Sequence, residues 1–269
     1  HKSLLAEINL PNRDLDQTDN ALCVMPFFHV GGTAAYQFSV YKAGATSVIL
    51  EKFDELDVFR TIEKEKVTYV NMVPAMIIRM LDHPDFNKYD LSTLKTIGFT
   101  GAPMPVEVLK RCTAYFGRPI IHQELGQTET LNLTRFKKHE YKLEGSAKDI
   151  KRLESAGKPA FEGEVIIVDE KGNEVPRGQV GEIVSRSDRN MRGYWNMPDE
   201  TAETIRNGWL HTGDLGRMDE DGFIFIVDRK KDMIISGGEN IYSQEVEDVL
   251  YSHPAVLYAA VIGVPDEKW

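Results

Sequence analysis

The sequence predicts an α/β protein: a parallel sheet with crossover helices, then a small β-barrel-like subdomain, then the start of a small α+β domain. Two observations carry that prediction. Through about the first 120 residues, short β-like runs alternate with amphipathic segments whose apolar residues recur at helical spacing. Past about residue 155, short strand-like runs separated by tight turns take over, the pattern of a small antiparallel sheet or barrel.

In chain order, the first β-like runs are Ala21–Met25, Thr46–Leu50, Val67–Met72, Lys95–Phe99 and Pro119–His122. Between them, Asp54–Lys66 sets Leu56, Phe59 and Ile62 at helical spacing with charges elsewhere. Pro105–Phe116 opens with proline at a first helical position, where a missing N–H is harmless, and carries Val106, Leu109 and Cys112 on one face. Lys137–Glu154 is charged and poor in large apolar residues, and reads as a surface excursion. Glu164–Val168, Gly181–Ser185 and Gly222–Val227 then read as strands, divided by turn signals at Glu170–Asn173, Pro176–Gly178 and Asp219–Gly222. Met233–Ile235 is a short apolar run before the flexible pair Gly237 and Gly238. Ser243 suits the N-cap of a helix carrying Val246, Val249 and Leu250, and Ala255–Val264 reads as a buried strand. That last segment is too little to close a domain. The expected division is therefore 1–230, with an α/β part over 1–135 and a β-rich part over 155–230, followed by an incomplete 231–269.

A formal charge of −10 argues against a general nucleic-acid or anionic-membrane binder, although a local loop can hold phosphates inside an acidic protein. No apolar run approaches the roughly 18–20 residues that span a bilayer, and the opening His1–Leu5 is no secretory signal. Cys23 and Cys112 lack metal-ligand spacing and read as buried reduced thiols, so a soluble, cytoplasmic protein is expected.

Five constellations can carry chemistry, and each has a plain structural alternative. Asp214 in Trp209–Gly216, flanked by glycines at a turn between strands, suits a ribose diol; it equally suits a turn Asp satisfying its own backbone. The charged run Asp228–Asp232 reads as a solvated connection, except that Gly237 and Gly238 follow the next strand and let backbone amides approach a ligand. Gln123–Thr130 places a Gly turn, a hydroxyl and a carboxylate at a strand end, fit for phosphate at Thr128 and a hard metal ion at Glu129. It also fits a helix N-terminus with acidic residues. Phe99–Pro105 is a small-residue turn against which a flat ring can lie, although small residues there equally just make a tight turn. Met25–Gly32 sets His29 beside two aromatics and two glycines, either a pocket mouth or a satisfied structural histidine.

Taken in order, these motifs resemble the adenylate-forming (AMP-binding) superfamily, the acyl-CoA synthetase branch in particular, essentially from His1 to Trp269. The run comprises Pro26–Gly32, Gly101–Pro103, Gly126–Glu129, Gly193–Trp195, His211–Asp214, Asp228–Ile234 and Gly237–Ile241. The resemblance implies that Gly101, Ala102 and Pro103 line the adenine site, within a nucleotide site that also takes in Gln123, Glu124, Leu125, Gly126, Gln127 and Ile226. It implies that Thr128 touches the α-phosphate and Glu129 holds Mg2+. Asp214 would grip the ribose hydroxyls beside Arg229, and His29 would stand near the carboxylate being activated. Lys231 falls at a hinge of the small domain, and Gly237 and Gly238 at the CoA side. The implied substrates are ATP, coenzyme A and a carboxylic acid, which is fatty, aryl, alicyclic or steroid; a homodimer is left open. Phe28–His29 stands where a peptide-synthetase adenylation domain carries an Asp for the substrate amine, which favours a CoA ligase. Another adenylating enzyme and a non-catalytic nucleotide-binding relative are the alternatives.

Three departures from the family pattern matter. Leu125 stands where an aromatic usually packs on adenine, so apolar contact is kept and stacking is lost. Ser187 lies where an Arg-Gly-Pro turn is common. The phosphate loop of the family would lie upstream of His1 and its adenylation lysine beyond Trp269. The expectation is that these 269 residues alone form no acyl-adenylate. Pyrophosphate exchange by the purified chain would overturn it.

Overall fold

The computed structural model describes residues 1–9, 15–102, 104–160, 163–236, 239–251, 253, 255–256 and 259–266. Helix α1 (Lys2–Ile8) precedes β1 (Asn20–Cys23), and a π-helical turn at Thr33–Gln37 leads into α2 (Phe38–Ala43). Then strand and helix alternate: β2 (Thr46–Ile49), α3 (Glu55–Glu65), β3 (Tyr69–Met72), α4 (Pro74–Asp82), β4 (Thr96–Phe99), α5 (Val106–Phe116) and β5 (Ile121–Gln127). These five strands lie in the order β2-β1-β3-β4-β5, and every pair among them is parallel, as the crossovers require. β6 (Leu131–Phe136) and, after α6 (Ala147–Arg152), β7 (Lys158–Pro159) extend the sheet antiparallel.

Helix α3 shows why the pattern was readable. The Asp54 carboxylate accepts the Asp57 N–H, two acids occupy the first turn, and Val58, Phe59 and Ile62 are buried. Phe59 meets Phe86 edge-on with centroids 5.7 Å apart, and its full burial contributes about 2 kcal/mol. Leu22, Val70, Met72, Ile97 and Phe99 form one apolar sheet face with α3, α4 and α5. Period-two alternation sends the other residues to the opposite face, where Ala21, Cys23 and Tyr69 pack on Tyr36 and Val40. That second face turns polar towards β5. Asn71 and His122 stand over the bare Gly98, the Tyr69 hydroxyl lies 3.3 Å from His122 Nε2, and Glu124 pairs with its cross-strand neighbour Arg135. Burial opposes the Arg135 charge, but Glu124, Tyr69 and Glu7 outweigh it and raise its proton affinity.

The second sheet comprises β8 (Glu164–Val168), β9 (Gly181–Arg186), β10 (Ile205–Arg206), β11 (Trp209–Met218) and β12 (Ile224–Arg229), with α7 (Pro198–Thr204) before β10. Its order is β10-β11-β9-β8, every pair antiparallel, with β12 also on β11. Val165, Ile167, Ile183, Met218 and Ile224 form its core together with Leu133 of the first sheet, so a strand of one sheet seals the other. The chain ends in the hairpin β13 (Ile234–Ser236) and β14 (Glu239–Ile241), then α8 (Ser243–Tyr251). Cys23 and Cys112 are free and buried, and burial pushes the Cys112 thiol up to about 12. Among the described residues no helix is long and apolar enough to cross a membrane.

The structure corrects several expectations. Gln123–Thr130 opens no helix: β5 continues to Gln127 and turns back through 128–130 into β6, because residues 131–136 supply ladder partners. The excursion at 137–154 holds helix α6, capped by Ser146, and buries Tyr141 and Leu153 in the main core. Ser243 is the first residue of α8, and its N–H and hydroxyl both donate to the Asp228 carboxylate. Among the described residues of 255–264 there is no strand. Nothing there completes a ladder, and Ile262 and Val264 are 78% and 75% exposed.

Candidate functional site

A cavity of about 810 Å3 opens beyond the carboxyl end of β4 and along β5, within the roughly 300–1,000 Å3 typical of ligand sites. One wall comes from Gly101 and Ala102 after β4, Gln123–Gly126 on β5, and Asp214, Ile226 and Arg229 on the second sheet. Facing it are Met233 and Ile234 of the terminal hairpin, Ser243, Gln244 and Glu247 of α8, and the 261–265 stretch. Lys231 lies on the wall where the chain leaves β12.

Two local distortions shape the first wall. At Gly126 the register of β5 with β6 slips, and any side chain there would collide with the Leu131 carbonyl. Leu125 and Ile226 both pack against the second sheet's core while lining the cavity, so Leu125 presents an aliphatic surface there. Asp214 is on no turn between strands. It sits inside β11, on a bulge where the register with β9 breaks between His211 and Leu215 and Gly213 takes a φ of 73°.

Backbone satisfaction at this bulge falls to groups other than the Asp214 carboxylate. The Asp214 N–H donates to Thr212 Oγ1 at 3.1 Å, and that hydroxyl donates to the Ile183 carbonyl at 2.8 Å. The carboxylate instead faces Arg229, its cross-strand partner on β12, with Arg229 Nε 3.0 Å from Oδ1. Burial raises the proton affinity of Asp214; Arg229 works against that and the Glu182 charge adds to it, so the carboxyl stays above its usual range.

The expected phosphate elements lie beside the cavity. Thr128 is exposed on the β5–β6 turn, and Gln127 is turned away, donating through Nε2 to the Thr212 carbonyl at 3.2 Å. That bond ties the turn to the Asp214 bulge. Glu129 Oε1 accepts the Tyr194 hydroxyl at 2.8 Å, and the Glu129 carbonyl accepts the Met191 N–H. Burial, followed by Glu129, raises the Tyr194 phenol. Among the described residues no group of three or more His, Cys, Asp and Glu can cage a metal. A single carboxylate with one oxygen committed to Tyr194 still fits Mg2+, which takes one or two carboxylates and completes its shell with phosphate oxygens and water.

His29 is not brought into this group. It is exposed off the cavity wall, with Nδ1 accepting the Gly31 N–H at 3.0 Å. Pro103, Gly237 and Gly238 lie outside the described residues. Sequence reasoning missed the facing wall from Ser243 to Glu247, the Tyr194 contact beyond its motif, and Glu182, a buried carboxylate behind Asp214. Only the resemblance through Gly193–Trp195 pointed near any of them.

An AMP-binding enzyme family model matches residues 1–195. The chain is 41% identical over 266 residues to a medium/long-chain-fatty-acid–CoA ligase of Mycobacterium tuberculosis, covering 98% of this chain and 45% of that protein. Among solved structures it resembles a variant of an amide bond synthetase from Marinactinospora thermotolerans, with a TM-score of 0.88 and 33% identity over 99% of this chain and 52% of that one. It also resembles the O-succinylbenzoate coenzyme A synthetase of Bacillus subtilis in complex with ATP and magnesium ion, with a TM-score of 0.86 and 33% identity, covering 99% and 54%. The chain spans about half the length of the relatives it matches. With a nucleotide-sized cavity behind these motifs, the chain belongs to the AMP-binding enzyme family.

Proposed function

We propose that this chain is the nucleotide-binding part of an ATP-dependent carboxylic acid–CoA ligase. The observation that carries the reading is the Asp214–Arg229 pair: a partly buried carboxylate without backbone duty, set on a cavity wall in a member of this family. In this reading residues 1–230 belong to the large domain and 231–269 begin a small one that turns about Lys231. Gly101 and Ala102, with Pro103, take the adenine, and Leu125 and Ile226 give it aliphatic contact. Asp214 accepts the ribose hydroxyls, and Thr128 meets the α-phosphate from its exposed turn. His29 serves the acid from outside the cavity, and Gly237 and Gly238 belong to the CoA side.

The chemistry has two halves. A carboxylate oxygen of the acid bonds to the α-phosphorus and pyrophosphate leaves; then the CoA sulfur bonds to the acyl carbon, its proton departs and AMP is released. Mg2+, when bound, neutralises charge building on the phosphates. Glu129 would hold it, kept in place by the Tyr194 hydroxyl. ATP and CoA are cytoplasmic metabolites, which supports a cytoplasmic protein. The relatives' names span a fatty acid and an aryl acid, so the acid is to be found by assay: CoA-dependent AMP release over a panel of acids, measured on the protein that carries this chain. The likeness to an amide bond synthetase favours one second reading, transfer of the acyl group to an amine. AMP release that needs an amine in place of CoA would select it.

Glu129→Gln is expected to remove the Mg2+ dependence of ATP binding by calorimetry while leaving AMP binding within about twofold, because one neutral hydrogen bond contributes little. Equal Mg2+ enhancement in the variant and the parent chain would contradict the assignment.

A further inference from the structure

We propose that Glu182 is a positioning residue for the nucleotide: a buried carboxylate that clamps the Asp214 bulge of β11 to the end of β12, so that Asp214 and Arg229 face the ligand as one unit. The proposal rests on the nucleotide reading of that pair. Glu182 is 7% exposed, on β9 opposite the point where the β9–β11 register breaks. Its Oε2 lies 3.0 Å from His211 Nδ1, 3.0 Å from Lys230 Nζ and 3.5 Å from an Arg206 nitrogen, and its Oε1 accepts the Gly213 N–H at 3.3 Å. The Lys230 N–H in turn donates to the Gly213 carbonyl at 2.8 Å.

These bonds close a ring. Glu182 holds Gly213 and Lys230, Gly213 holds Lys230, and the residues next along each strand are Asp214 and Arg229. A buried carboxylate is expensive, and a β-sheet does not need one; an apolar residue would pack there. The bulge supplies its reason, since it takes the Gly213 amide out of the ladder and that amide needs an acceptor. Glu182 does not line the cavity, so its part is to place other groups.

Charge gives the clamp a signature that packing alone lacks. Asp214 faces Arg229 from β12 and Glu182 from β9; Glu182 faces His211 from β11, Lys230 beyond β12 and Arg206 from β10. The Glu182 charge makes Asp214 harder to ionise. Removing that charge must lower the pH at which Asp214 ionises. Removing Lys230, which shields Glu182, must raise it.

The test measures adenosine and AMP binding to the 269-residue chain by calorimetry from pH 4.5 to 8, a range chosen to be about wide enough to span a raised carboxyl. Adenosine has no titrating phosphate, so its acid limb reports the ribose grip. Glu182→Gln is expected to weaken AMP binding about tenfold at the alkaline end, the loss of a charged hydrogen-bond hub. Its acid limb for adenosine moves to lower pH, and that of Lys230→Met moves to higher pH. Thermal melts establish that each variant is folded; if Glu182→Gln is not, the Lys230→Met limb decides. Unchanged affinity in Glu182→Gln, or weakened affinity with both acid limbs unmoved, overturns the proposal. If the parent chain binds neither ligand, the nucleotide reading itself falls, a result distinct from either.

Discussion

Asp214→Ala weakens AMP binding about a hundredfold, the loss of two hydrogen bonds from ribose hydroxyls to a carboxylate at roughly 1.5 kcal/mol or more each. Calorimetry on the chain measures it, and an affinity within threefold of the parent would remove Asp214 from the site. The same residue predicts opposite trends for binding and stability. Binding uses the ionised form, so affinity is present above the raised pKa of Asp214 and falls as pH drops through it. For stability the sign reverses. The folded-state pKa lies above the unfolded value of 3.8, so the native state holds this proton more tightly. The associated stabilisation is complete below 3.8 and is lost as pH rises through the folded pKa. At neutral pH the charged carboxylate therefore weakens the fold. Asp214→Asn should melt higher than the parent at pH 7 while failing to bind, a trade expected where function holds a charge that folding does not want. The partner Arg229 is more than half exposed, so losing this pair removes little stability.

Arg135→Met lowers unfolding free energy by about 3–5 kcal/mol, the largest stability effect expected here, because it removes the guanidinium paired with the buried Glu124 carboxylate. Both side chains are 5% exposed, and Arg135 Nε donates to Glu124 Oε1 at 3.0 Å. The pair Glu124→Leu with Arg135→Met should recover most of the loss, since two apolar side chains need no partner there. Urea unfolding midpoints distinguish the cases. A single variant as stable as the parent would mean the charges are better solvated than their burial implies. By contrast, the exposed Lys2–Asp188 pair, at 75% and 68%, should contribute almost nothing.

The sequence announced those elements whose identity is local. β1 to β4 are short apolar runs, and α3 and α5 carry their periodicity and boundary residues within a dozen positions. The β5–β6 hairpin was not legible, because Gln123–Gln127 shows no apolar alternation; what makes it a strand is the ladder with 131–136. Asp214 misled for the same reason. Glycines on its N-terminal side and two residues after it suggest a turn, and only the neighbouring strands β9 and β12 turn that stretch into a bulge. Gly101, Leu125, Asp214 and Arg229, picked out by motif resemblance, line one cavity. The resemblance could not foresee Glu182, which lies far from Asp214 in sequence, or the α8 wall, whose place depends on where the chain returns after Lys231. His29 shows the converse, a residue picked out by its motif that stands off the cavity.

The bond between Ser243 and Asp228 has a mechanical meaning. Asp228 immediately precedes Arg229, so the strand that carries the partner of Asp214 also carries the catch for the opposite wall. Rotation about Lys231 that lifts α8 away must strip a buried carboxylate of an amide and a hydroxyl donor together. In the proposed rotation about Lys231, such a catch gives a discrete release instead of a gradual slackening. In that rotation Ser243, fourteen residues past Arg229, is one whose change is expected to alter ligand exit more than ligand fit.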